Sequence, residues 1–170
     1  MWRGTKVLMA FAALAPVALI AAPGALASPP TTASGTFIYT SSTFDSTRTA
    51  GSNTIIDLSA TVSYTGTFSG TSTVEGTLIF HADGSANFHD VETFTGTVNG
   101  VPGTVTFNLT GRNGPGFTNF HATDTIISAS GNRADLHGVL NWERVTLGAN
   151  GPLGTYSGQM LFGTGAASSI

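Results

Sequence analysis

The sequence predicts an all-β domain of about eight antiparallel strands that close on themselves. Three observations carry this. Threonine is abundant, with 26 copies after residue 27, many at every second position, and β-branched residues favour a pleated, half-buried surface. Turn signals containing glycine recur roughly every 10 to 15 residues, as in a meander of strands. Beyond the N-terminal segment no stretch has the periodicity of an amphipathic helix. Strands with one apolar face and short turns remove their exposed edges by closing, as a barrel or a sandwich.

The chain has 170 residues, 41% of them hydrophobic, which suits one domain with its own core. Its N-terminus has the pattern of an export signal: Arg3 and Lys6 precede an apolar run over residues 7–22, and Ala25-Leu26-Ala27 is a small-x-small cleavage site. Cleavage is expected after Ala27, which makes the mature protein a secreted one. The run is about 16 residues, broken by Pro16, and short of the ~20 that a spanning helix needs. No membrane span is expected once the signal is gone. Residues 28–32 read as a Pro/Thr/Ser linker, 33–162 as the β domain and 163–170 as a flexible tail of small residues.

Within the domain, residues 56–68 alternate clearly: Ile56, Leu58, Ala60, Val62, Tyr64 and Phe68 on one face, Asp57, Ser59, Thr61, Ser63, Thr65 and Thr67 on the other. Ala82-Asp83-Gly84 fits a turn with Gly84 in the left-handed region, pairing His81 with Ser85. Leu78 then faces Phe88, Val74 faces Glu92 and Gly76 faces Asp90. Asn99-Gly100 is a type I′ hairpin signal that pairs Val98 with Val101, Phe94 with Val105 and Glu92 with Phe107. The two registers agree on one interior face containing Val74, Leu78, Phe80, Phe94, Val98, Val101, Val105, Phe107 and Leu109. A slip of one residue would break that agreement. Phe120, Ala122, Asp124 and Ile126 form a later stripe, Leu140 and Trp142 another, and Tyr156, Met160 and Phe162 the last.

Composition removes several function classes. There is no cysteine, so disulfides, thiolate metal sites and cysteine nucleophiles are excluded. After residue 27 four arginines and no lysine stand against nine acidic residues, a net charge of −5. Arg48, Arg112, Arg133 and Arg144 are scattered, so nucleic acid and anionic membranes are poor partners. No G-x-S-x-G nucleophile elbow occurs.

Several segments carry a family resemblance. Phe68-Ser69-Gly70-Thr71-Ser72-Thr73-Val74-Glu75-Gly76, then Asp83-Gly84-Ser85-Ala86-Asn87-Phe88 with Glu92 and Thr95-Gly96-Thr97, resemble the bacterial domain of unknown function 3224 family. Ser130-Gly131-Asn132-Arg133-Ala134-Asp135-Leu136-His137-Gly138 is similar to its glycine-containing turn before a strand. The resemblance covers most of residues 33–162 and implies a single eight-stranded antiparallel β-barrel of the allene oxide cyclase-like or lipocalin-like kind. It implies no established activity. Two features depart from the family's pattern: the export signal, and Gly76 where a larger side chain is usual. A glycine there is expected to enlarge any cavity.

The derived parity turns Asp90, Glu92 and Asp124 toward the apolar interior. Buried carboxyls find partners or take up a proton, and a neutral or poised acid is a catalytic tool. Glu92 and Asp90 are therefore the candidate acid/base residues, Glu92 foremost because Val74, Phe94 and Phe107 should surround it, with Arg144 as candidate counter-ion. Tyr64, Gly76, Phe88, Phe94, Phe107, Asp124, Trp142 and Arg144 are the candidate ligand-binding residues. The bland alternative is that the acids sit near a mouth or in a satisfied network, and the aromatic residues simply fill the core. His81, His89 and His121 fall on the wet face, and neither His81 with Asp83 nor His121 with Asp124 has an obvious third ligand, so no metal is expected. No cofactor is implied.

Three functions fit. The first is a secreted barrel that binds a small hydrophobic molecule in its interior. The second is an isomerase or cyclase in which Glu92 or Asp90 moves a proton. Export counts against it, because a biosynthetic cyclase usually meets its substrate in the cytoplasm. The third is a structural or surface-interaction module with a filled core. Self-association into a homo-oligomer is open.

Overall fold

The computed structural model describes residues 29–163. The expected signal (1–27) and all of the tail but Gly163 lie outside them. Eight strands follow one another: β1 (Thr31–Ala50), β2 (Asn53–Gly66), β3 (Phe68–Phe80), β4 (Ala86–Val98), β5 (Val101–Gly114), β6 (Thr118–Gly131), β7 (Leu136–Gly148) and β8 (Gly151–Phe162). Each pairs antiparallel with its sequence neighbours and β1 pairs with β8, so the sheet closes into a barrel. Closure decides between barrel and sandwich.

Local chemistry sets the registers. Asn99 and Gly100 have φ of 50° and 75°, the two positive values a type I′ turn requires. Val98 accordingly pairs with Val101, Phe94 with Val105 and Glu92 with Phe107. Gly84 has φ of 82° and Leu78 faces Phe88, as the β3–β4 turn predicts. β1 begins at Thr31, so Thr31 and Thr32 are strand residues paired with Met160 and Gln159, not linker. The domain also holds one 3-10 turn, Pro115–Phe117, where the sequence predicts none. Gly116 within it has φ of 66°, and three residues carry no periodicity to detect.

The barrel has two unlike ends. The β2–β3, β4–β5 and β6–β7 turns surround a filled floor, where Phe68, Phe94, Phe107 and Tyr156 are almost fully buried. Phe68 meets Phe94 and Phe107 edge-on, at 5.4 Å in each case, the arrangement ring quadrupoles favour. The Tyr156 hydroxyl accepts the Phe68 N–H at 2.9 Å and donates to the Thr65 carbonyl at 3.1 Å. It thereby ties β8 to β2 and β3. At the opposite end, β1 pairs with β8 only as far as Ile38, yet continues beside β2 to Ala50. β1 thus parts from β8 at the mouth while β2 stays paired with β3 up to Thr54, and residues 41–50 are all exposed.

Candidate functional site

β4 sets the depth of the site. Its inward residues alternate as Phe88, Asp90, Glu92 and Phe94, descending from the mouth to the floor. Asp90 is 4% exposed, while Glu92 and Asp124 are fully buried, so all three carboxyls lie inside, as parity predicts. Gly76 faces Asp90 across β3 and β4. A Cβ at Gly76 would lie 1.9 Å from Asp90 Oδ1, so the carboxyl group occupies the room the glycine leaves. The expectation that Gly76 enlarges a cavity is corrected: it seats an acid.

Two of the three acids have partial satisfaction. Ser72 Oγ donates to Glu92 Oε1, and Trp142 Nε1 donates to Asp124 Oδ2 at 2.7 Å. Asp90 Oδ1, Glu92 Oε2, Asp124 Oδ1 and the Tyr64 hydroxyl are buried without a hydrogen-bond partner. Burial pushes the Asp90 carboxyl up to about 7, with the Glu92 charge adding and the Thr77 backbone opposing. Burial likewise raises Glu92 to about 7, against the pull of Ser72 and of the nearby Tyr64 hydroxyl. Asp124 is driven well above the usual carboxylate range by burial and then by the Glu92 charge, opposed by Trp142. Desolvation favours the neutral acid, and each neighbouring carboxylate adds to the effect.

Above this layer the barrel is open. A cavity of about 580 Å³ occupies the mouth, walled by Tyr39, Phe44, Leu78, Phe80, Phe117 and Leu147 among others. A smaller inner chamber, about 80 Å³, adjoins it and shares Tyr39, Leu78 and Phe117 in its wall. Phe88, Phe120, Trp142 and Asp90 complete that chamber.

The structure sorts the sequence-predicted residues by depth. Phe88, Asp90 and Trp142 meet at the chamber. Glu92, Asp124 and Tyr64 form the buried polar layer beneath it, and Phe94 and Phe107 belong to the floor. Asp90, not Glu92, is the acid that a molecule in the cavity would reach. Arg144 is a second correction. A bulge between Glu143 and Thr146 interrupts the β7 alternation, with Arg144 at φ of 51°. Val145 therefore packs against the core and Arg144 is exposed, outside the barrel and without contact to Glu92. His89, His121 and His137 are exposed, whereas His81 is half-buried. Its ring nitrogens lie 3.2 Å from Asn53 Oδ1 and 3.0 Å from Asn87 Nδ2. Among the described residues no three His, Asp or Glu side chains gather as metal ligands.

Four of the wall residues escaped the sequence: Tyr39, Phe44, Phe117 and Leu147. Tyr39 alternates with Phe37, whose ring centroid lies 4.0 Å from that of Trp142 with the planes tilted by 35°. Phe117 reaches the cavity only through the 3-10 turn.

The family model DUF3224, described as "Protein of unknown function", matches residues 33–152. The chain belongs to the DUF3224 family. A crystal structure of a DUF3224 protein of unknown function from Shewanella oneidensis MR-1, at 1.84 Å resolution, superposes with a TM-score of 0.63. The two share 19% identity, over 79% of this chain and 98% of that one. At that identity the likeness is one of fold. Among curated proteins, none matches the chain.

Proposed function

We propose that this DUF3224 protein is a secreted barrel that takes up one small hydrophobic molecule through its open end, with Asp90 fixing the polar part. One observation carries the reading: a cavity of about 580 Å³ with a largely apolar lining leads to a chamber whose wall holds a buried carboxyl group. That volume is in the usual range for small-molecule sites, which combine apolar walls with a few convergent polar groups. Secretion rests on Arg3, Lys6, the apolar run and Ala25-Leu26-Ala27.

Trp142 is the one tryptophan after residue 27, and it lines the chamber, so its fluorescence reports occupancy. The neutral apolar fluorophore N-phenyl-1-naphthylamine is expected to bind one to one and quench Trp142. Native mass spectrometry of protein from secreting cells, followed by denaturation, is expected to release a stoichiometric small molecule and to show an N-terminus at Ser28. An empty protein that also ignores the fluorophore would favour a structural module.

A second reading has its own support. Asp90 is poised at about 7, where a carboxyl group both gives and takes protons at neutral pH. An isomerase or cyclase acting on the bound molecule would lose turnover in Asp90→Asn while retaining binding.

A further inference from the structure

We propose that the inner chamber takes the ammonium head of an amphiphilic amine, with the alkyl tail lying in the mouth cavity. The inference rests on the binding reading above and names its ligand class. The interior holds Asp90, Glu92 and Asp124, and among the described residues no basic side chain joins them. Arg48 is outside on Asp57 at 2.6 Å, Arg112 and Arg144 are exposed, and Arg133 is at the floor, bonded to the Val98 carbonyl at 2.7 Å. Asp90 Oδ1 is buried without a partner. Such a group costs free energy until something satisfies it.

The walls favour the same occupant. Tyr39, Phe88, Phe117, Phe120 and Trp142 surround the chamber, with Phe120 stacked against Phe88 at 5.5 Å and Trp142 at 6.3 Å. Aromatic faces attract a desolvated cation through their quadrupole. The space of about 80 Å³ suits a compact head. A carboxylate head would instead face Asp90 in the wall, with Glu92 and Asp124 beneath it and no positive partner, which is repulsive discrimination against fatty acids. An alcohol would be tolerated without charge pairing.

Binding a permanent cation favours ionised Asp90, so affinity rises with pH through the range in which Asp90 gives up its proton, about 7. Inside the barrel the charge of Glu92, on the same strand, acts on Asp90, and Asp90 in turn acts on Tyr39 of β1 and Asp124 of β6. Tyr64 on β2 lies behind Glu92. Gly76 on β3, Leu109 on β5 and Trp142 on β7 bring no charge.

The test is competition against N-phenyl-1-naphthylamine on the purified protein, using decyltrimethylammonium, decanol and decanoate below their micelle concentrations. Decyltrimethylammonium is expected to compete at least about tenfold better than decanol, the scale of one charge-assisted contact, and decanoate worst. The preference should widen from about pH 5.5 to about pH 8 and vanish in Asp90→Asn. Equal or better competition by decanol or decanoate overturns the amine assignment, as does a preference that is flat with pH in the unmutated protein. The pH profile does not depend on whether the variant folds. Failure of the fluorophore itself to bind overturns the binding reading beneath it, so the two failures are distinguishable.

Discussion

The floor and the mouth of this barrel are built from the same alternating strands and end up with opposite properties. At the floor, Phe68, Phe107 and Tyr156 are each 1% exposed; at the mouth, Phe44 is 64% and Leu147 62% exposed. At the floor, rings from β3, β4, β5 and β8 cross the interior and meet, and the Tyr156 hydroxyl satisfies two backbone groups. At the mouth, β1 runs on past its last pairing with β8 and a cavity of about 580 Å³ remains. One end supplies stability and the other supplies room. The buried acids lie at the boundary between them, which places a costly polar layer where a molecule entering from the mouth would stop.

The largest test of that division is a pair of truncations. Phe68→Ala should cost about 3–5 kcal/mol in urea unfolding, whereas Phe44→Ala should stay within about 0.5 kcal/mol. Similar costs at both positions would erase the distinction between a packed floor and an open mouth.

The boundary layer has its own signature in pH. Asp90 and Glu92 are held near 7 in the fold, above the values they regain on unfolding, so the folded state binds more protons between about pH 4 and pH 7. Their contribution to stability is full below about pH 4 and is lost as pH rises through about 7, a change on the order of a few kcal/mol. The melting temperature should therefore rise on acidification from pH ~8 to pH ~5, opposite to the usual acid effect. Asp57 and Asp83 are held below the ordinary carboxylate value by hydrogen bonds on the outside, and reverse the trend in stronger acid. Glu92→Gln should flatten the rise; a melting temperature that instead falls steadily from pH ~8 to pH ~5 would mean the buried acids are not held neutral.

A smaller effect sharpens the link between Gly76 and its acid. Gly76→Ala forces the Asp90 carboxyl from its seat and should cost about 1–3 kcal/mol, as overpacking does. Adding Asp90→Ala to Gly76→Ala should recover most of that loss, measured by urea unfolding as a double-mutant cycle. Additive losses would show that the glycine answers to some other neighbour.

Much of this was legible in the sequence. Alternation identified the inward face, Asn99-Gly100 and Asp83-Gly84 pinned two registers, and their agreement turned Asp90, Glu92 and Asp124 inward. Where the reading failed, the cause was local backbone or distance across the barrel. Arg144 shares parity with Trp142, but the bulge gives it a positive φ that no glycine or asparagine announces. Gly76 looked like empty space because a sequence shows the missing side chain and not the Asp90 carboxyl that fills it.

By itself the sequence determined the all-β class with about eight strands, two of the strand pairings and the inward face, because turn chemistry and period-two patterning act between residues close along the chain. Only the tertiary structure decided closure of β1 onto β8 and the depth of each inward residue. Parity assigns a side and carries no coordinate along the barrel axis. Hence Glu92 and Asp90 share one parity in sequence, yet closure buries the first beneath the chamber and leaves the second in its wall.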